Sequence, residues 1–90
     1  MGVEVKVKVV INGADLNIFN LIKETTCRSV WKTGRAKRVI KNFRKRHNMT
    51  EEEFENIVTS AKRHAYSSMV EVSAEEYILF KELADLCYLL

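Results

Sequence analysis

Val3, Val5, Val7 and Val9 alternate with Glu4, Lys6 and Lys8. A period of two in β-branched residues dictates a strand with one dry face and one wet face. A strand cannot stand alone, because its backbone donors and acceptors need a partner and its apolar face needs cover. Val10 and Ile11 carry the run to Asn12-Gly13. Such a pair often closes a hairpin, but nothing strand-like follows it, so it reads as a turn into a helix. The other strand-like segment is Ser67 to Val72, with Val70 and Val72 on one face and Glu71 on the other. The chain must therefore bring its first dozen residues back beside a segment far along it.

The residues between and after these strands run at helical period. Asp15 is placed to cap a short helix over residues 16–24, with Leu16, Phe19 and Ile22 on one stripe and Ile18 and Leu21 beside them. Thr25-Thr26 is a poor helix interior and ends it. Ser29 to Thr33 holds at most one further turn before Gly34 interrupts the pattern. From Arg35 to His47, Ala36, Val39, Ile40, Phe43 and His47 share one face, and Asn48 stops the helix. Thr50-Glu51-Glu52-Glu53 is a capping box for a helix that buries Phe54, Ile57, Val58, Ala61 and Ala65 and ends near Tyr66. Ser73-Ala74-Glu75-Glu76 is a second such box, and the helix after it carries Tyr77, Ile78, Phe80, Leu83, Ala84, Leu86, Cys87 and Leu90.

The resulting fold class is α+β in one domain, residues 1–90. A small two-stranded sheet, with a long N-terminal strand and a short one near 68–72, packs with about four helices in the order β-α-α-α-β-α. The periodicities place Val5, Val7, Val9, Phe19, Ile40, Phe43, Phe54, Ile57, Val58, Val72, Phe80 and Leu83 in the core.

The net charge of +3 conceals a segregated pattern. Residues 28–47 carry nine basic side chains and no acid, whereas residues 48–90 carry nine acids and three basic groups. Lys37, Arg38, Lys41, Arg44 and Lys45 lie opposite the apolar stripe of the middle helix. Five cations on about 20 Å of helix match the reach of several phosphates. Pairing with the acidic half of the chain does not explain the segregation, since surface ion pairs are worth only ~0–1 kcal/mol each. A basic block of this kind marks a surface that meets polyanions. Arg35, Lys37, Arg38, Lys41, Arg44 and Lys45 are the expected nucleic-acid-binding residues, in a small non-enzymatic regulatory or accessory protein that binds DNA or RNA. The alternative is a protein-interaction module or small inhibitor, its basic face docked on an acidic or nucleic-acid-binding groove of a larger protein.

Trp31 has two readings. In one continuous helix from Arg28 to His47 it would lie among the cations, where an aromatic ring stacks on bases. If Gly34 breaks that helix, Val30 and Trp31 turn into the core, which is favoured because Trp is highly buried on average. The span Asp15 to Arg46 resembles a helix-turn-helix in its order: a short helix, a turn at Thr25-Thr26, then a basic segment. The usual turn glycine is missing and the second helix is interrupted at Gly34, so no family follows from the resemblance.

Other chemistries find little support. Cys27 and Cys87 stand 60 positions apart with no C-x-x-C spacing and are expected as thiols. His47, His64, Cys27 and Cys87 lack the close ligand pairs of a structural zinc site, so no metal is expected. Gly2, Gly13 and Gly34 are scattered and form no phosphate-cradling loop. No turn presents a serine or cysteine beside a base, and Glu51, Glu52 and Glu53 are accounted for by capping. No cofactor and no enzyme activity are expected. No stretch approaches the ~18 apolar residues of a membrane span. Met1 to Lys6 lacks a secretory h-region and a myristoylation signal, so a cytoplasmic protein without a membrane partner is expected.

Two features point to a homodimer. The first strand outruns its only candidate partner, leaving an open edge. Leu86-Cys87-Tyr88-Leu89-Leu90 is apolar around the whole helix and asks for burial on every side.

Overall fold

A computed structural model describes residues 7–90. The expected α+β order is present: β1 Lys8–Asn12, α1 Asn17–Thr26, α2 Gly34–Arg46, α3 Glu51–His64, β2 Met69–Ser73 and α4 Ala74–Leu89. Two 3-10 turns, Gly13–Leu16 and Ser29–Lys32, join β1 to α1 and α1 to α2.

The strands pair antiparallel, with Val9 opposite Val72 and Ile11 opposite Val70. Side chains on a strand alternate between faces. Val9, Ile11, Val70 and Val72 therefore point together towards the helices, and the last three are buried. Val10 and Met69 point the other way and stay exposed, as do Lys8 and Glu71, which meet at 3.3 Å across that outer face. Val7 lies just beyond β1, where its carbonyl accepts from the Ala74 amide, and its side chain is 63 % exposed rather than in the core. Val3 and Val5, and with them the expected extra length of the first strand, fall outside the described residues. The described strands have five residues each.

Helix α4 covers the inner face of the sheet and packs on α1, which also packs on α3. Phe19 of α1 meets Phe80 of α4 edge-on at 5.0 Å, and the His64 ring of α3 lies 5.2 Å from Phe19 and 5.7 Å from Phe80. These three rings knit three helices together. Burial holds the His64 imidazole below its ordinary pKa, and the neighbouring Arg63 charge lowers it further. Ile22, Leu83, Leu86 and Cys87 complete this part of the core. Burial pushes the Cys87 thiol up to about 11, and a hydrogen bond with the buried Thr25 offsets only part of that rise. Both cysteines are free thiols, with Cys27 exposed.

Helix boundaries follow local chemistry. Thr50 accepts from the Glu53 amide while the Glu53 carboxylate accepts from the Thr50 amide, so the first capping box closes in both directions. Ser73 accepts from the Glu76 amide at the head of α4. Asp15 does not cap α1: it sits inside the first 3-10 turn, and α1 begins after Leu16 with no side-chain cap. The turn that follows Gly13, itself at φ +56°, delays the helix past the capping position. Ile40, Ile57 and Val9 are partly buried against the core rather than inside it. Ile11, Ile22 and Val70 take the buried places instead. Among the described residues no helix is long and apolar enough to cross a membrane.

Candidate nucleic-acid interface

Helix α2 is bounded sharply at both ends. Thr33 caps it: its hydroxyl accepts from the Ala36 amide at 3.2 Å and donates to the Val30 carbonyl at 2.7 Å. Gly34, the expected break, is therefore the first residue of a new helix. At the other end Asn48 adopts φ +52°, and the amides of Asn48 and Met49 donate to the carbonyls of Lys45 and Arg44. That pair of bonds is the Schellman closure, in which a left-handed residue satisfies the last carbonyls. Asparagine tolerates this conformation better than most residues.

The apolar stripe is oriented inward as expected. Ala36 and Phe43 are buried, while Val39, Ile40 and His47 are partly buried. Phe43 meets Phe54 of α3 edge-on at 5.8 Å, and its own helix neighbour His47 at 4.6 Å. The His47 imidazole lies against the Glu82 carboxylate of α4. Both His47 Nε2 and Glu82 Oε2 are buried without a hydrogen-bond partner. With α2 pinned by this face, its opposite face must look outward.

The six expected binding residues do not share one fate. Lys37, Arg38, Lys41 and Lys45 are exposed, and among the described residues none lies within ion-pair distance of a carboxylate. Arg44 folds back over the helix end: its Nε donates to the Met49 carbonyl at 3.4 Å, and its guanidinium lies 3.8 Å from Glu51. Arg35 donates to the Leu89 carbonyl at the end of α4, 3.2 Å away. Arg35 and Arg44 thus hold α2 to its neighbours, and four cations are left to face solvent. Among the described residues, Glu51 is the one acid in ion-pair distance of any of the six.

The spacing of those four cations has a physical consequence. Lys37, Lys41 and Lys45 repeat at i, i+4 and i+8, so they form one row along the helix, with Arg38 beside it. Like charges four apart destabilise a helix by about 0.2–0.5 kcal/mol per pair. The helix dipole favours Arg44, Lys45 and Arg46 in the last turn but gives Lys37 and Arg38 no such compensation. The row is a cost that folding does not require and that an apposed polyanion would relieve.

Trp31 lies in the second 3-10 turn. Its ring is parallel to that of Phe54, tilted only 12°, with centroids 6.2 Å apart. The break at Gly34 does turn it towards the core, yet it remains partly exposed. A seven-residue stretch, 27–33, separates α1 from α2, where a helix-turn-helix has a turn of only about three or four residues. That resemblance is not realised in the fold. Among the described residues no three His, Cys, Asp or Glu side chains converge as metal ligands would. His47 is engaged with Glu82, and His64 lies between Phe19 and Phe80. No protein-family model, curated protein or solved structure matches the chain.

Proposed function

We propose that the protein is a small non-enzymatic nucleic-acid-binding protein, regulatory or accessory in role, which docks the outward face of α2 on a phosphate backbone. The observation that carries this reading is the Lys37-Lys41-Lys45 row with Arg38 beside it: four exposed cations on a helix held in place by its other face, with no carboxylate of the described residues within ion-pair distance. From Lys37 to Lys45 the helix advances about 12 Å, a length over which a duplex presents three to four phosphates per strand, one per roughly 3.4 Å of its axis. The test is an electrophoretic mobility shift at two salt concentrations with random duplex and single-stranded oligonucleotides. Binding that weakens steeply with salt supports the reading. Absence of a shift at low salt, combined with capture of an acidic protein, moves the function to the protein-docking alternative.

Self-association belongs to the same proposal. Leu86 and Cys87 are buried within the chain, but Tyr88 and Leu89 stand 83 % and 67 % exposed at the end of α4. Both strands of a two-stranded sheet also keep an open edge. A two-fold assembly through these features would present two basic helices to one polyanion and add avidity. Sedimentation equilibrium at micromolar concentration tests it, with a mass near 10.5 kDa throughout the range counting against a dimer.

A further inference from the structure

We infer that the groove between the Trp31 turn, α2 and α3 receives an unpaired nucleobase, so that the preferred ligand is a single strand rather than a duplex. The inference rests on the nucleic-acid reading above and specifies its substrate class. The groove has a volume of about 390 Å³, at the lower end of the roughly 300–1,000 Å³ typical of small-molecule sites. Its floor is aromatic and aliphatic: Trp31 and Phe54, which stack in parallel, with Ile40 and Val58 beside them. A flat, partly exposed indole backed by a second ring is a stacking platform, and base stacking accepts any base because each has a π-face.

The position of the groove matters as much as its lining. Ile40 is on its wall, and Lys37 is three residues before Ile40 on the same helix. Residues three and four apart are surface neighbours, so the Lys37 end of the cationic row borders the groove, and Arg44 of the same helix lines it. A single strand whose phosphates meet Lys37 can turn its bases towards the indole. In a duplex those bases are paired and stacked inside the helix and cannot reach it. Glu51, paired with Arg44, and Glu55 and Lys62 of α3 also line the groove. The carboxylates of Glu51 and Glu55 can accept from an exocyclic base amine.

Trp31 is the only tryptophan in the chain, so its fluorescence reports this groove without labelling. The experiment titrates the wild-type protein with a short single-stranded oligonucleotide and with the blunt duplex of the same sequence, following both tryptophan emission and bound fraction. The expected result is saturable quenching by the single strand, tighter single-strand binding and little quenching by the duplex. Trp31→Ala should weaken single-strand binding by roughly five- to 150-fold and leave duplex binding unchanged, with circular dichroism verifying that the variant is folded. Equal quenching by both ligands, or binding of both without quenching, overturns the inference and leaves the basic-face reading intact. Failure of both ligands to bind the wild type overturns the basic-face reading, and the inference with it.

Discussion

Phe54 joins three elements, and its truncation tests how α2 is held. The side chain belongs to α3, is only 6 % exposed, stacks on Trp31 of the second 3-10 turn and meets Phe43 of α2 edge-on. Transfer of a buried Phe side chain to water costs about 1.5–3 kcal/mol. Each aromatic pair adds about 0.5–1.5 kcal/mol beyond its area. Two pairs bring the sum to about 2.5–6 kcal/mol, which brackets the roughly 3–5 kcal/mol found for Phe→Ala core changes and expected here for Phe54→Ala. A chain of this length is stabilised by only about 5–13 kcal/mol, so much of the total is removed. Urea unfolding followed by far-ultraviolet circular dichroism reads the effect. At about 2 kcal/mol per molar of urea the midpoint should fall by roughly 2 M. Ile40→Ala, at a partly buried position, should lose about half as much. A change below about 1 kcal/mol at Phe54 would refute the packing of α2 and Trp31 through this residue.

Two further outcomes follow from the interior. His64 is held below its ordinary 6.5, chiefly by burial, so between its folded value and 6.5 the unfolded chain binds more protons than the folded one. The contribution of His64 to stability is therefore complete above 6.5 and is lost as pH falls through the folded value. Urea midpoints measured across that window should decline on acidification, and His64→Gln should flatten the decline; an unchanged slope in His64→Gln would contradict the assignment. For the thiols, burial and a value near 11 keep Cys87 protonated at neutral pH, whereas Cys27 is exposed. A thiol-reactive dye should modify one cysteine per native chain promptly and the second only in denaturant. Equal rates for both in the native state would contradict the burial of Cys87.

The features legible in the sequence were those written in local periodicity. Alternation at Val9 and at Val70-Val72 specifies an inward strand face, whereas the antiparallel direction of the pairing is seen only in the fold. Thr50 and Ser73 both name their own helix starts, because cap and partner lie three residues apart, although only Thr50 and Glu53 close the box in both directions. Phe43, Phe54 and Phe80 fall on apolar stripes and are buried. Other assignments depend on groups distant in the chain. Asp15 has the right chemistry for a cap, but the 3-10 turn after Gly13 moves the helix start beyond it. Helical phase places Arg44 near the basic row, and only the Schellman turn at Asn48 brings the Met49 carbonyl and Glu51 within its reach. Arg35 is diverted by Leu89, a carbonyl 54 residues away that no local pattern reveals. The basic face was thus legible as a face, while its reduction from six cations to four required tertiary structure. Trp31 was ambiguous for the same reason, since its stacking partner Phe54 lies on another helix.

The salt dependence of nucleic-acid binding tests the central claim most directly. Four cations neutralising four phosphates of a duplex predict that log K falls against log salt with a slope of about −3.6. Lys41→Gln with Lys45→Gln removes two of them, and the slope should fall to about −1.8. Arg35→Gln, which alters a cation bonded to Leu89 rather than one facing solvent, should leave it near the wild-type value. No binding of the wild type to any nucleic acid at low salt, or a slope unaffected by loss of Lys41 and Lys45, would contradict the account.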